Sequence, residues 1–346
     1  MSMKSISAYF EQAVKDGASD IHLVSGEKPM MRLNGELVDL DAEPLTEKTL
    51  EQEIFSFLSA EQKEVYTNEL ELDMGTVVAG ARFRVNIHQQ EGKIALAARF
   101  IPSEIPGPDA LRFEPQLREF SSMLDGLVLV VGPTGCGKST TIASMIEEIN
   151  KNRKAHVITI EDPVEFAFQD KKSLIEQREV GTDTKTFASA LKHALRQDPN
   201  VIMVGEMRDP ETIATALTAA ETGHLVFSTL HTSSAAEAVE RIVDVFEGSK
   251  QRQVLIQLSA VLRGVVAQQL LPTVDGKLVA AREILVNTPA VSNLIRENNI
   301  AQIKSAIQTG AKDGMVSMEN SLKQLVKEGL ISDDTATRRV GRQRKV

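Results

Sequence analysis

The spacing of apolar positions changes repeatedly along the first hundred residues, as expected of a mixed α+β segment. Ile6, Phe10, Ala13 and Val14 fall on one face of a helix, and Gly17 supplies its stop. Short runs of strand length follow at residues 19–24, 30–33 and 36–40, then a helical stretch from about Thr46 to Thr67. Residues 70–78, 81–88 and 93–100 read as three further strands. In the second of these Phe83, Val85 and Ile87 alternate with Arg82, Arg84, Asn86 and His88, so one face packs and the other is polar.

The pattern breaks at residues 101–108, where Pro102, Pro106, Gly107 and Pro108 forbid a regular helix or a central strand. This reads as a linker over residues 101–112 between a domain of residues 1–100 and a domain of residues 113–346. Pro-rich spacers are semi-rigid, so the two domains are expected to move as jointed bodies. Beyond it, apolar β-branched runs at 127–131, 156–160, 201–204 and 224–229 alternate with helices starting near Lys138, Thr184 and Pro210. Phe187, Leu191, Ala194 and Leu195 form the apolar stripe of the middle helix. Short apolar strands between helices predict an α/β domain whose parallel sheet is covered on both faces. From about residue 234 the chain reads as mostly helical. Its last good helix carries Met318, Leu322, Leu325 and Val326 ahead of Gly329, and there is no internal repeat.

Composition narrows the classes. The 346 residues are 42% hydrophobic and 25% charged, which fits a folded protein and not a disordered one. A net charge of −9 counts against non-specific nucleic-acid binding, which needs a basic face. The single cysteine, Cys136, excludes an intramolecular disulfide and a four-cysteine zinc ribbon, and suits the reducing cytosol. No run approaches the roughly 18 consecutive apolar residues of a membrane span. Lys4, Glu11, Lys15 and Asp16 interrupt the N-terminus where a signal peptide would have an apolar core, so a cytoplasmic protein is expected. The tail carries Arg338, Arg339, Arg342, Arg344 and Lys345 without an acid; it reads as a frayed terminus or as a group attracted to anionic lipid or an acidic partner.

The sharpest chemical signal is Gly132, Pro133, Thr134, Gly135, Cys136, Gly137, Lys138 and Ser139, a complete G-x-x-x-x-G-K-[ST] phosphate loop between a strand and a helix. Glycines let backbone N–H groups converge on phosphate oxygens, and the helix N-terminus, with Thr140 in its first turn, adds partial positive charge. Lys138 is placed to reach the β- and γ-phosphates of ATP and Ser139 to put its hydroxyl on Mg²⁺. Cys136 occupies a variable position and is given no chemistry. Residues 201–206 have the form of a second nucleotide-site strand ending in an acid, with Gly205 where Asp is usual. Mg²⁺ would then rely on Ser139, phosphate oxygens and waters, with Glu206 acting through a water. Glu206 is the first candidate to orient or deprotonate the attacking water. Glu161, Asp162 and Glu165 follow another strand at the ligand-binding edge of an α/β sheet; Glu165 is the second candidate, although such acids also cap helices and form turns.

Taken together, the loop, Ile-Glu-Asp-Pro-Val-Glu-Phe at 160–166, Val-Gly-Glu-Met-Arg-Asp at 204–209 and Glu-Thr-Gly-His-Leu-Val-Phe-Ser-Thr-Leu-His-Thr at 221–232 resemble the secretion ATPase superfamily. Within it the chain is similar to the type IV pilus retraction ATPases, the PilT family, over nearly its whole length. Gly17-Ala-Ser-Asp-Ile-His-Leu and Arg82-Phe-Arg-Val-Asn are similar to signatures of that family's N-domain. The resemblance implies a RecA-like P-loop motor domain preceded by a smaller α+β, PAS-like domain. Extension and type II secretion ATPases are longer and usually carry a four-cysteine zinc element, which this chain lacks. Residues 290–297, Ala-Val-Ser-Asn-Leu-Ile-Arg-Glu, keep six of eight positions of a motif of the principal retraction motor, departing at Val291 and Ser292. Residues 268–276 look closer to the accessory PilU type.

The resemblance further implies a homohexamer with ATP and Mg²⁺ at subunit junctions, working at the inner face of the cytoplasmic membrane without inserting into it. Its implied partners are an inner-membrane platform protein and a PilT/PilU-type paralogue. His224 and His231 would sense the γ-phosphate, although seven-residue spacing also fits two structural or solvated histidines. Arg82 and Arg84, with Arg99 as a weaker candidate, would reach phosphate across the subunit boundary, or form a solvated strand face. Arg196 and Arg208 would stabilise phosphate charge or pair with nearby acids. A RecA-like nucleic-acid translocase and a nucleotide-gated scaffold are the competing classes.

Overall fold

The computed structural model describes residues 5–33, 36–40, 43–102 and 104–337; the basic run from Arg338 lies outside them. Its chain falls into two compact units, residues 1–104 with 165–167, and residues 105–164 with 168–346.

The first unit opens with α1 (Ile6–Asp16), capped by the Ser5 hydroxyl and ended by Gly17 in the left-handed region, φ 70°. There follow β1 (Asp20–Val24), β2 (Met30–Leu33), β3 (Glu36–Asp39), α2 (Glu47–Phe57), α3 (Ala60–Glu69), β4 (Glu71–Val78), β5 (Ala81–Gln90) and β6 (Lys93–Ile101). The helical stretch expected from about Thr46 to Thr67 is divided into two helices. Ser59 and Gln62 form a reciprocal cap that stops α2 and restarts the chain as α3, a Ser-x-x-Gln signal inside the apolar period. The strands pair antiparallel in the order β3-β2-β1-β6-β5-β4. Ile21, Leu23, Phe83, Val85 and Ile87 are buried with Phe10, Leu50 and Ile54 of the helices. Period-two alternation sends Asp20, Arg84 and Arg99 to the other face.

The second unit contains α4 (Pro115–Ser122), β7 (Gly126–Val131), α5 (Lys138–Asn152), β8 (His156–Glu161), β9 (Leu174–Glu179), α6 (Phe187–Ala194), β10 (Val201–Val204), α7 (Pro210–Glu221) and β11 (Leu225–Leu230). It continues with α8 (Ala235–Asp244), α9 (Ser249–Val261), β12 (Leu262–Pro272), β13 (Leu278–Val286), α10 (Pro289–Arg296), α11 (Ile303–Thr309) and α12 (Met318–Lys327). Seven strands lie in the order β13-β12-β7-β11-β10-β8-β9; all pair parallel except β12 with β13. Alternate residues of β7 supply both cores. Leu127, Leu129 and Val131 pack with the side that includes Ile213 and Val239, and Val128 and Val130 pack with Phe120, Ile142 and Ile149. The region after 234, expected to be mostly helical, therefore contains a long hairpin, β12–β13, that extends the sheet beside the phosphate loop.

Candidate nucleotide site

Strand β7 is buried along all six residues and delivers the chain to Gly132. There φ is +147°, and a Cβ would stand 2.4 Å from the Gln268 carbonyl oxygen and 2.6 Å from Cys136 Sγ, so only glycine fits. Gly137, φ +86°, is the cap from which α5 starts. Lys138 is the first residue of that helix; it is 8% exposed, and its Nζ donates to the Gly132 and Pro133 carbonyls at 2.8 and 3.1 Å. No carboxylate forms an ion pair with it among the described residues. A buried ammonium that hydrogen-bonds only its own loop is suited to receive phosphate oxygens. Cys136 is buried, and burial raises its thiol pKa, so it stays neutral as packing for the loop.

Burial holds the Lys138 ammonium below the ordinary lysine value, opposed by Cys136 and Glu206. Deprotonation removes the charge that attracts triphosphate, while bound phosphate favours the charged form. As pH rises, kcat/KM, which reports the free enzyme, is therefore expected to fall before the pKa of an ordinary lysine is reached. The kcat limb should lie at higher pH. Steady-state phosphate release across pH 7–10.5 measures both, and coincident limbs at the ordinary lysine value would refute the assignment.

Strand β10 ends beside the loop. Gly205 donates its N–H to the Ile160 carbonyl at 2.8 Å, and a Cβ there would lie 3.2 Å from that oxygen, which accounts for glycine at the position. Glu206 follows, mostly buried, with Oε1 2.7 Å from an Arg208 nitrogen and Oε2 3.4 Å from His231 Nε2. With Asp162, Lys185 and Arg208 it lines a cavity of about 430 Å³. His231 and Pro133 line another of about 590 Å³. The structure thus joins Glu206, Arg208 and His231 in one cluster, as their order in the sequence allowed.

Other candidates lie elsewhere. Because β11 runs parallel to β7, with Leu225 opposite Gly126 and Leu230 opposite Val131, His224 stands at the edge where β7 begins. At about 3.3 Å per residue that is roughly 20 Å from its loop end. His224 Nδ1 sits 2.9 Å from the Ala219 carbonyl, capping α7. Arg196 lies in the turn ahead of β10 at that same edge. Within its own chain each therefore lies at the opposite end of the sheet from the phosphate loop. Glu161 is buried and accepts from Thr159 Oγ1 at 2.7 Å and Gln177 Nε2 at 3.0 Å. Glu165 belongs by its contacts to the first unit, where the Ala167 N–H donates to the Pro102 carbonyl. On the sheet of that unit Arg84 is exposed and Arg82 half-buried. Arg99 is paired with Asp20 at 2.9 Å; burial would raise the Asp20 pKa, but the hydrogen bonds from Arg99 and Ser19 outweigh it and hold it low.

No group of three or more His, Cys, Asp or Glu is arranged to cage a metal among the described residues. The donor set present, the Ser139 hydroxyl in the first turn of α5 and the Glu206 carboxylate, fits Mg²⁺ as it is usually held, through substrate phosphates and waters. Sequence reasoning missed Gln268 and Thr141, which lie beneath the loop and hydrogen-bond each other. A strand after residue 261 would have revealed Gln268.

Residues 110–337 match the model of the family described as Type II/IV secretion system protein. The chain belongs to that family. This secretion ATPase is 46% identical, over 94% of both chains, to the type IV pilus retraction ATPase PilT of Pseudomonas aeruginosa. Identity to the type IV pilus ATPase PilU of the same organism is 38%, over 93% of this chain and 85% of that one. A crystal structure of the pilus retraction motor PilT with bound ADP superposes with a TM-score of 0.90 at 45% identity, covering 96% of each chain. Secretion ATPases of this kind combine a small N-terminal domain with a RecA-like ATPase domain, and the chain is an ATPase of the PilT branch.

Proposed function

We propose that the chain is the principal motor of type IV pilus retraction: a homohexamer that hydrolyses Mg–ATP and converts it into withdrawal of the fibre, as in twitching motility. The observation that carries this reading is a phosphate loop with a buried Lys138, flanked by the Glu206–Arg208–His231 cluster, in a chain collinear with PilT over 94% of its length. Residues 1–100 form its N-terminal domain, residues 101–112 its linker and residues 113–346 its motor domain.

Loop N–H groups and Lys138 hold the β- and γ-phosphates, and Ser139, with Glu206 through a water, would hold Mg²⁺. When bound, that ion offsets charge on the phosphates. Glu206 takes the proton of the water that attacks the γ-phosphorus; the bond to the β–γ bridging oxygen breaks, releasing ADP and phosphate. Glu165 is the second candidate for this task. In the structure Arg208 pairs with Glu206 at 2.7 Å, and its transfer to phosphate would leave the carboxylate to the attacking water. His231, 3.4 Å from Glu206, registers loss of the γ-phosphate. Arg82 and Arg84, and more weakly Arg99, act on the neighbouring subunit's nucleotide. The ring works at the cytoplasmic face of the inner membrane against a platform protein, alongside a PilU-type paralogue, and needs no nucleic acid.

Expression in a strain whose pili extend but do not retract tests this. The chain should restore fibre withdrawal even when the accessory gene is also deleted. Rescue only when another retraction motor is present would assign the PilU type instead. ATPase activity strongly stimulated by single-stranded nucleic acid would indicate a translocase.

A further inference from the structure

Gln268 and Arg282 face each other across β12 and β13, and both are buried, 2% and 1% exposed. Buried polar groups are expensive unless every donor and acceptor is met. Gln268 Oε1 accepts from Thr141 Oγ1 at 2.8 Å and from Arg282 Nε at 2.9 Å, and Nε2 donates to the Cys136 carbonyl at 2.6 Å. Arginine only donates, so its neighbour must be the amide oxygen, and the NH₂ is thereby turned to the phosphate loop. The rest of the guanidinium is spent on one segment: Nη1 on the Arg112 carbonyl at 3.2 Å and Glu114 Oε2 at 3.1 Å, Nη2 on the Leu111 carbonyl at 3.0 Å. Its carbon also lies 5.5 Å from the centre of the Phe113 ring.

We propose that Gln268 is a positioning residue of the phosphate loop, and that Arg282 ties the loop's setting to residues 111–114, a few residues after the second unit begins at Ile105. A trans peptide is planar, with C=O and N–H pointing opposite ways. Holding the Cys136 carbonyl toward Gln268 therefore aims the Gly137 N–H away from it, into the cradle. When phosphate draws on that N–H, the same peptide pulls on Gln268. Arg282 shares the Gln268 oxygen with Thr141 and carries the displacement to the carbonyls of Leu111 and Arg112. The local turn there is held by N–H donation from Leu111 to Gly107, Arg112 to Asp109 and Phe113 to Pro108, so it has a defined setting to change.

This rests on the loop being the nucleotide site, and the test separates the two. In the full-length protein, Gln268→Glu keeps the acceptors for Thr141 and Arg282 and makes the latter pair ionic. It removes only the donor to Cys136 and sets two oxygens against each other. The expected result is a KM for ATP and a Kd for ADP raised about tenfold, with kcat little changed; the nucleotide-free melting temperature should fall by only a few degrees, because the ionic pair gained with Arg282 offsets part of the lost contact to Cys136. In the parent, ADP should slow hydrogen exchange of amides 109–114, and Gln268→Glu should abolish that slowing. Unchanged KM and Kd would overturn the positioning role, as would a large fall in nucleotide-free stability that accounts for the loss. Absence of an ADP effect on exchange in the parent, or its persistence in the variant, would overturn the transmission. Normal ADP binding by Lys138→Ala would instead remove the nucleotide assignment itself.

Discussion

Glu206→Gln is expected to bind ATP within a few-fold of the parent and to lower kcat by about 10²–10⁴-fold, the range lost when a positioned general base is removed. The amide occupies the same volume at the end of β10 and can still accept from Arg208, so the cluster with His231 should keep its shape. What disappears is the capacity to take a proton from water. Direct nucleotide titration checks the first half, and phosphate release at saturating ATP checks the second. Retained fast turnover would move the base to Glu165. That residue reaches its place by a different route, since residues 165–167 interrupt the second unit and pack with the first.

Local pattern carried most of the elements. Strand β2 matches the expected 30–33, β10 the expected 201–204, and β7 begins one residue ahead of the expected 127. The phosphate loop was legible because its chemistry needs eight consecutive residues and nothing from elsewhere. The hairpin of β12 and β13 was not. Leu, Ala and Gln are good helix formers, and burial on both faces removes the alternation that marks a strand. Strand β9, Leu-Ile-Glu-Gln-Arg-Glu, lies at the sheet edge and has its place through pairing with β8. Missing the hairpin hid the network below the loop: Gln268 and Arg282 lie 14 positions apart in sequence and meet only when β12 and β13 pair.

The same topology explains why two candidates separate from the rest. Motif order says which residues lie near a strand, but direction decides at which end. His224 precedes β11 and His231 follows it, so a buried strand of six residues stands between them. Only His231 shares the loop's edge. His224 and the Ala219 carbonyl satisfy each other at the end of α7, a structural role that spacing alone left open. Arg196 and Arg208 divide in the same way around β10, and only Arg208 meets Glu206.

Lys138→Ala is expected to raise the Kd for ATP by at least about a hundredfold, the equivalent of roughly 2.7 kcal/mol. The ammonium is desolvated and, among the described residues, hydrogen-bonds only the Gly132 and Pro133 carbonyls, both in the loop itself. Its removal costs the empty protein little, because burying a charge already offsets much of what those hydrogen bonds return. Bound nucleotide loses far more, since backbone N–H groups cannot replace a full charge against a triphosphate. Linkage makes the asymmetry measurable. At one hundred times the parent's Kd, ATP stabilises the parent by about 2.7 kcal/mol, but a variant bound a hundredfold more weakly gains only about 0.4 kcal/mol at that concentration. Melting curves with and without Mg–ATP should therefore separate widely for the parent and nearly coincide for Lys138→Ala, while the nucleotide-free curves of the two proteins overlap. A variant with a preserved ATP-dependent shift would show that the triphosphate is not gripped by this loop, and the retraction motor would then have to find its fuel elsewhere in the chain.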